Sequence, residues 1–224
     1  MSPGSLQTYL NNKILATNSS PEYHPTILIN QKQELFNTLE DTFQMNIETT
    51  YQLAHITNQI KLQYTFSAFT DGSLSTFKNT KFMGFGWILQ EYNNQQYTFQ
   101  GQITNFTSST RAEITAILTL IVIIPNNSSI TIFTDNQAAL QAINNSFHIS
   151  PVQGLRKYKN WSLLDKIVET CHNRKIHLIL EKILAHSRIP GNETANLLAR
   201  IDPHSGMQPG EKLLTLKTTN NHCN

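Results

Sequence analysis

Three acidic side chains fall at comparable places along the chain. Asp71 follows an alternating aromatic and small run in the string FTDGS, and Asp135 follows a β-branched run in IFTDN. Glu113 stands in the first turn or so of a helical stretch that begins TSSTRAE. If the runs before Asp71 and Asp135 are neighbouring strands of an open sheet, their carboxyl ends converge on a crevice where such sheets bind ligands. Carboxylates packed this closely repel, and each has its pKa raised unless a cation sits between them. Hard divalent ions with oxygen ligands, Mg²⁺ or Mn²⁺, suit such a place, and they point to phosphate chemistry. Each acid alone also has a structural role open to it. An Asp after a strand serves as a helix cap or turn residue, Asp71-Gly72 is an ordinary turn dipeptide, and a Glu near a helix start is favoured by the dipole. The string LAHSRIPGNETANLLAR offers a fourth contribution. Pro190 and Gly191 form a turn, Asn192 caps a helix, and Ala195, Leu198 and Ala199 give that helix an apolar side. His186, just before the turn, is either a surface residue or a group able to move protons near neutral pH beside a phosphate.

The elements that must position these residues follow from the pattern. Strands are expected over Thr65–Thr70, Phe82–Gln90 and Gln96–Ile103, with an Asn93-Asn94 turn between the last two. A helix from about Ser109 to Ile123 follows, closed by Pro125 and Asn126, then a strand Ile130–Thr134. A short helix Gln137–Ile143, a basic loop around Arg156–Lys159 and a helix from about Ser162 to Asn173 come next. A strand Ile176–Leu184 and a helix from about Glu193 to Arg200 complete the order βββαβααβα, which argues an α/β fold with a mixed sheet and helices on its faces. Upstream, residues 1–30 are a polar leader interrupted by Pro3, Pro21 and Pro25, and Leu35, Phe36, Leu39 and Phe43 recur at helical spacing over 31–43. Residues 45–62 read as a helix against the main domain or as a tether.

Composition bounds the classes that remain. The chain has 224 residues, 39% hydrophobic and 14% charged, so a core is affordable while the charged share lies far below the usual roughly 25%. The strongest apolar run, Ile114–Ile124, is broken by Thr115 and Thr119 and stopped by Pro125, short of the roughly 20 residues a spanning helix needs. No membrane partner is expected. Two cysteines, Cys171 and Cys223, and no basic-then-apolar N-terminal segment argue a reduced, intracellular setting, cytoplasmic or nuclear. Basic residues gather late: residues 1–149 carry six Lys or Arg against nine Asp or Glu, and residues 150–224 carry eleven against six. Such a gradient suits a nucleic-acid face and equally a solvated surface. Cys171-His172 and His222-Cys223 lack zinc-ligand spacing, and no GxSxG elbow or glycine-rich phosphate loop with a following Lys occurs.

Together, FTDGS, TSSTRAE, FTDNQAA and AHSRIPGNETANLLA, in this order and spacing, resemble the ribonuclease H family: the single-domain enzymes and the domains fused to retroelement reverse transcriptases. The resemblance covers about residues 64–201. It implies a ribonuclease H-like five-stranded mixed sheet flanked by helices, two Mg²⁺ ions with Mn²⁺ as a substitute, and hydrolysis of the RNA strand of an RNA/DNA hybrid to 5′-phosphate and 3′-hydroxyl products. A reverse transcriptase joined in one polyprotein is an implied partner. Carried over by motif, Asp71, Glu113 and Asp135 are the metal-binding acids and His186 the loop histidine. Asn196 stands where the family has an Asp. It keeps an oxygen ligand and loses the charge, so a weaker hold on one metal, or reliance on Glu193 three residues earlier on the same helix face, is the expected consequence.

Selectivity for RNA needs contacts to 2′-hydroxyls. Thr107, Ser108, Ser109 and Thr110 supply hydroxyls beside the acids, and Gly72, Ser73, Asn136 and Gln137 adjoin them; caps and turns are their structural alternative. In GLRKYKNW, Arg156, Lys157 and Lys159 surround Tyr158 and Trp161, and the segment resembles the basic protrusion of cellular family members. The organisation expected is a leader and helical tether over 1–62, a ribonuclease H-like domain over 63–202 and a polar tail over 203–224. Two further readings stand beside the nuclease: a catalytically weakened or inactive module binding hybrid or double-stranded RNA, and the same fold acting on another substrate, as integrases and resolvases do.

Overall fold

From Ala112 to Ile123 every residue of the TSSTRAE helix is buried. A helix this apolar all round has to be covered from several sides, and the rest of the fold is arranged to do so. The computed structural model describes residues 43–45, 47–60, 64–91, 95–103, 106–185, 188–200 and 213–216. Their elements are β1 (Phe43–Met45), α1 (Ile47–Gln59), β2 (Thr65–Phe77), β3 (Thr80–Gln90), β4 (Gln96–Ile103), α2 (Ser109–Ile123) and β5 (Ser129–Thr134). The chain continues through α3 (Gln137–Ser146), α4 (Pro151–Lys157), α5 (Trp161–Arg174), β6 (His177–Lys182), α6 (Pro190–Ala199) and β7 (Leu213–Leu216).

The five strands β4-β3-β2-β5-β6 form the mixed sheet that the sequence implied. β2 pairs antiparallel with β3 and β3 with β4, whereas β5 runs parallel to both β2 and β6. Two short strands extend the β4 edge: β7 lies parallel to β4, and β1 lies antiparallel to β7. The region read as a polar tail therefore contributes a strand, a single apolar tetrapeptide being too short to signal one on its own. The leader over 1–30 lies outside the described residues, as does most of the helix expected over 31–43, whose last residue, Phe43, opens β1.

Several boundaries differ from the sequence reading. β2 runs on to Phe77 because its ladder with β3 continues through Asp71↔Gly86 and Gly72↔Phe85, so the Asp71-Gly72 pair is mid-strand and no turn. The basic segment is largely helical: Ser150 and Gln153 form a capping box that starts α4. Helix α6 begins at Pro190 in its first turn, and Asn192 is buried inside it where a cap was expected.

The core gathers around α2. Trp87 on β3 is fully buried and donates its indole N–H to Thr119 Oγ1 at 3.1 Å. The far end of α2 is closed by Arg174 from α5, whose guanidinium donates to the carbonyls of Val122 and Ile124 and to Asn126 Oδ1, meeting acceptors that a helix end leaves open. Of the segment 45–62, the described residues 47–60 pack against the domain: Leu53, Ile56 and Ile60 join the same apolar cluster as Phe66, Trp87 and Leu118, and Tyr97 donates its hydroxyl to the Gln59 carbonyl at 2.9 Å. Leu53→Ala is accordingly expected to destabilise the whole unit by roughly 2–5 kcal/mol. A urea midpoint equal to that of the wild type would show α1 to be a mere tether.

Candidate active site

The two Phe-Thr-Asp strings end up side by side. β2 and β5 pair in parallel through Phe69↔Phe133, and their rings stack with centroids 5.0 Å apart. One residue further, where the ladder stops, Thr70 and Thr134 meet at one carboxylate oxygen, and Asp71 and Asp135 follow them in sequence. Here β5 ends while β2 continues, paired on its other side with the antiparallel β3, and open sheets bind ligands in a crevice outside the ends of such parallel strands.

Alternation along β2 assigns the faces. A methyl group added at Gly72 would overlap the backbone of Ala112 and Glu113, so Thr70 and Gly72 look toward α2. Phe69 and Ser73 look the other way: a methyl on Gly191 would run into the Phe69 ring, and Ser73 Oγ donates to the Ala199 carbonyl at 2.5 Å. Asp71 shares that second face, beneath α6. From Phe69 to Ser73 a strand advances about 13 Å, and from Gly191 to Ala199 a helix advances about 12 Å. Helix α6 therefore tracks β2, and the helix residue level with Asp71 is the buried Ala195, next to Asn196. Gly86, opposite Asp71 in the ladder, lets this helix descend, since any side chain there would strike Leu198 and Ala199.

Glu113 reaches the crevice from the α2 face. It is fully buried, and its Oε1 accepts hydrogen bonds from Thr70 Oγ1 at 2.5 Å and from Thr134 Oγ1 at 2.7 Å. Its Oε2 is buried with no hydrogen-bond partner. Burial pushes the Glu113 carboxyl up from 4.5 to about 7; the two threonine bonds oppose this, and the charges of Asp71 and Asp135 add to it. Among the described residues no three His, Cys, Asp or Glu side chains close into a metal cage; the charges of Asp71 and Asp135 nevertheless reach Glu113.

The other residues singled out in the sequence separate into several groups. Ser108 caps α2, its Oγ accepting from the Arg111 amide at 3.0 Å, and Asn136 caps α3, its Oδ1 accepting from the Ala139 amide at 3.0 Å. Thr110 and Gln137 stand half-exposed in the first turns of those helices. Gly72 and Ser73 act in packing, as described. Arg156, Lys157 and Lys159 are exposed on and just after α4. Trp161 is corrected: only 5% exposed, it closes over Gly154 and belongs to the core, where its ring is withheld from any nucleic acid. His186 lies outside the described residues. Asn196 is half-exposed, and its Oδ1 accepts from Arg200 Nε at 3.1 Å.

Sequence reasoning missed Thr70 and Thr134, which aim Glu113. Their signal was the repetition of Phe-Thr-Asp at both strand ends. It also missed Phe106, which is 81% exposed on a left-handed backbone and lies under the Arg111 guanidinium at 5.6 Å.

The Glu113 shift has a sign that can be measured. A carboxyl held at about 7 in the fold and near 4.5 when unfolded binds an extra proton in the folded state between those values. This group therefore costs nothing below about pH 4.5, and its burial subtracts stability progressively as the pH rises to about 7, reaching about 3 kcal/mol. In metal-free protein, the stability of Glu113→Gln relative to wild type should rise across that window, read from urea unfolding at pH 4.5, 6 and 8. A difference independent of pH would mean that Glu113 is ionised throughout.

Residues 63–202 match the family model described as RNase H. Among solved structures, the chain is similar to LC9-RNase H1, described as a type 1 RNase H with the type 2 active-site motif. The identity is 14% and the TM-score 0.52, over 70% of this chain and 80% of that one. It is also similar to LC11-RNase H1, solved in complex with RNA/DNA hybrid, at 13% identity and a TM-score of 0.45, over 60% of this chain and 96% of that one. No curated protein matches the chain.

Proposed function

This chain belongs to the ribonuclease H family, and from that premise we propose that it is a metal-dependent endonuclease cleaving the RNA strand of RNA/DNA hybrids. The observation that carries the reading is the Glu113 carboxyl: buried, aimed by two threonines from adjacent strands, and left with an unpartnered Oε2 beside two aspartates.

A hard divalent cation fits these residues. Three carboxylates around one crevice favour a cation electrostatically, and a buried carboxylate oxygen without a donor is the kind of ligand Mg²⁺ or Mn²⁺ takes. Asp71, Asp135 and Glu113 Oε2 would hold it. Such an ion, when bound, lowers the pKa of a water and neutralises charge building on a phosphate.

The chain's own residues supply the rest. Thr70 and Thr134 fix Glu113 through Oε1 and so leave Oε2 as its ligating atom. The cap at Ser108 sets the start of α2, whose first amides favour a phosphate. A hydroxyl that accepts through its oxygen keeps its proton for donation, so Ser108 and the neighbouring Thr110 suit a ribose 2′-hydroxyl or a phosphate oxygen. Arg156, Lys157 and Lys159 add affinity without sequence preference.

A second reading, a hybrid-binding module with impaired chemistry, is favoured by Asn196, whose amide oxygen already accepts from Arg200. Cleavage assays on a labelled hybrid distinguish the two. We expect the wild type to cleave in Mg²⁺ or Mn²⁺, and Asp71→Asn to slow cleavage by about 100-fold or more, about 3 kcal/mol, with hybrid affinity nearly unchanged. No cleavage by the wild type in either metal, together with vigorous cleavage by Asn196→Asp, would establish the impaired module instead.

A further inference from the structure

We infer that this site holds one divalent ion rather than two, and that the guanidinium of Arg200 stands where a second cation would be needed. The inference rests on the nuclease reading above and concerns the fourth position of its site.

Asn196 has a single oxygen, and that oxygen accepts from Arg200 Nε at 3.1 Å. Its other terminal atom is an amide nitrogen that only donates, so it cannot ligate a metal. A divalent ion drawn to the oxygen would stand beside a permanently charged guanidinium, and like charges at that range repel. Arg200 is held there by its backbone as well. It follows the last turn of α6, and its amide donates to the Asn196 carbonyl at 3.2 Å, at a helix end where positive charge is favoured. The tracking of α6 along β2 brings Asn196 level with Asp71 and Arg200 one turn further, past Ser73: Gly191 meets Phe69, Ala199 meets Ser73, and Leu198 fills the space over Gly86, the ladder partner of Asp71. Glu193 shares the same helical flank but lies two turns from Arg200.

Charge counting agrees. Three ionised acids carry −3, and Arg200 beside them leaves −2, which one divalent ion balances. An aspartate at position 196 together with the loss of the Arg200 charge would bring the count to −4, which two divalent ions balance. The guanidinium also keeps its terminal N–H pair, a geometry that suits a phosphate of the bound strand.

The test counts ions on the full chain without substrate. Metal-free protein is titrated with Mn²⁺ while free Mn²⁺ is read by electron paramagnetic resonance. One ion per chain is expected for the wild type, and two for the double variant Asn196→Asp with Arg200→Gln. Arg200→Gln alone should keep one ion and weaken hybrid binding in EDTA, with the slope of log affinity against log salt smaller by about one. Because Arg200 is exposed, its variant should melt within a degree or two of wild type, which separates a lost charge from a lost fold. Two ions of comparable affinity in the wild type, or a double variant that stays at one, overturn the inference alone. A wild type that binds no Mn²⁺ removes the nuclease reading and the inference with it.

Discussion

A buried carboxylate held from both sides of a gap between two strands governs this molecule. Glu113 accepts from Thr70 on β2 and Thr134 on β5 at the step where their ladder ends. Burying an ionisable group is costly unless it is paired, and here only half of it is satisfied. The half that is satisfied registers α2 against the sheet. The other half, its pKa raised by burial, is left without a hydrogen-bond partner beside two aspartates. One side chain thus ties the packing of the domain to its chemistry.

The acids were legible in the sequence because their strings are local. Phe-Thr-Asp ends two apolar runs, and the parallel register sets the two copies level. What could not be read was the face on which each residue would lie. Asp71 falls inside a long strand because eleven successive pairs join β2 to β3, a long-range fact absent from any window around FTDGS. Trp161 looked like a companion of the basic residues by adjacency, yet the first turn of α5 points it at Gly154 and the core. Ser108 and Asn136 show both sides of the ambiguity that short polar residues carry, since each makes the cap that its alternative role proposed. Strand β7 escaped for another reason: it is a tetrapeptide that gains its meaning only from β4 and β1.

The fourth position teaches a separate lesson about substitution. An Asn for Asp exchange looks, in sequence, like the loss of one charge. In the fold the oxygen that remains accepts from Arg200, one helical turn on.

The strands added at the β4 edge bear on how the protein must be handled. β7 pairs with β4 only at Gln102 and Ile103, so without it the row of amides and carbonyls that β4 leaves unpaired, the template on which chains stick to one another, would extend to the end of the strand. Cutting the chain to the stretch that matches the family would remove that short pairing, and would also take away α1 with Leu53 and Ile56 from the apolar cluster. A minimal fragment drawn by homology alone would leave open the apolar surface that α1 covers, whatever its catalytic residues.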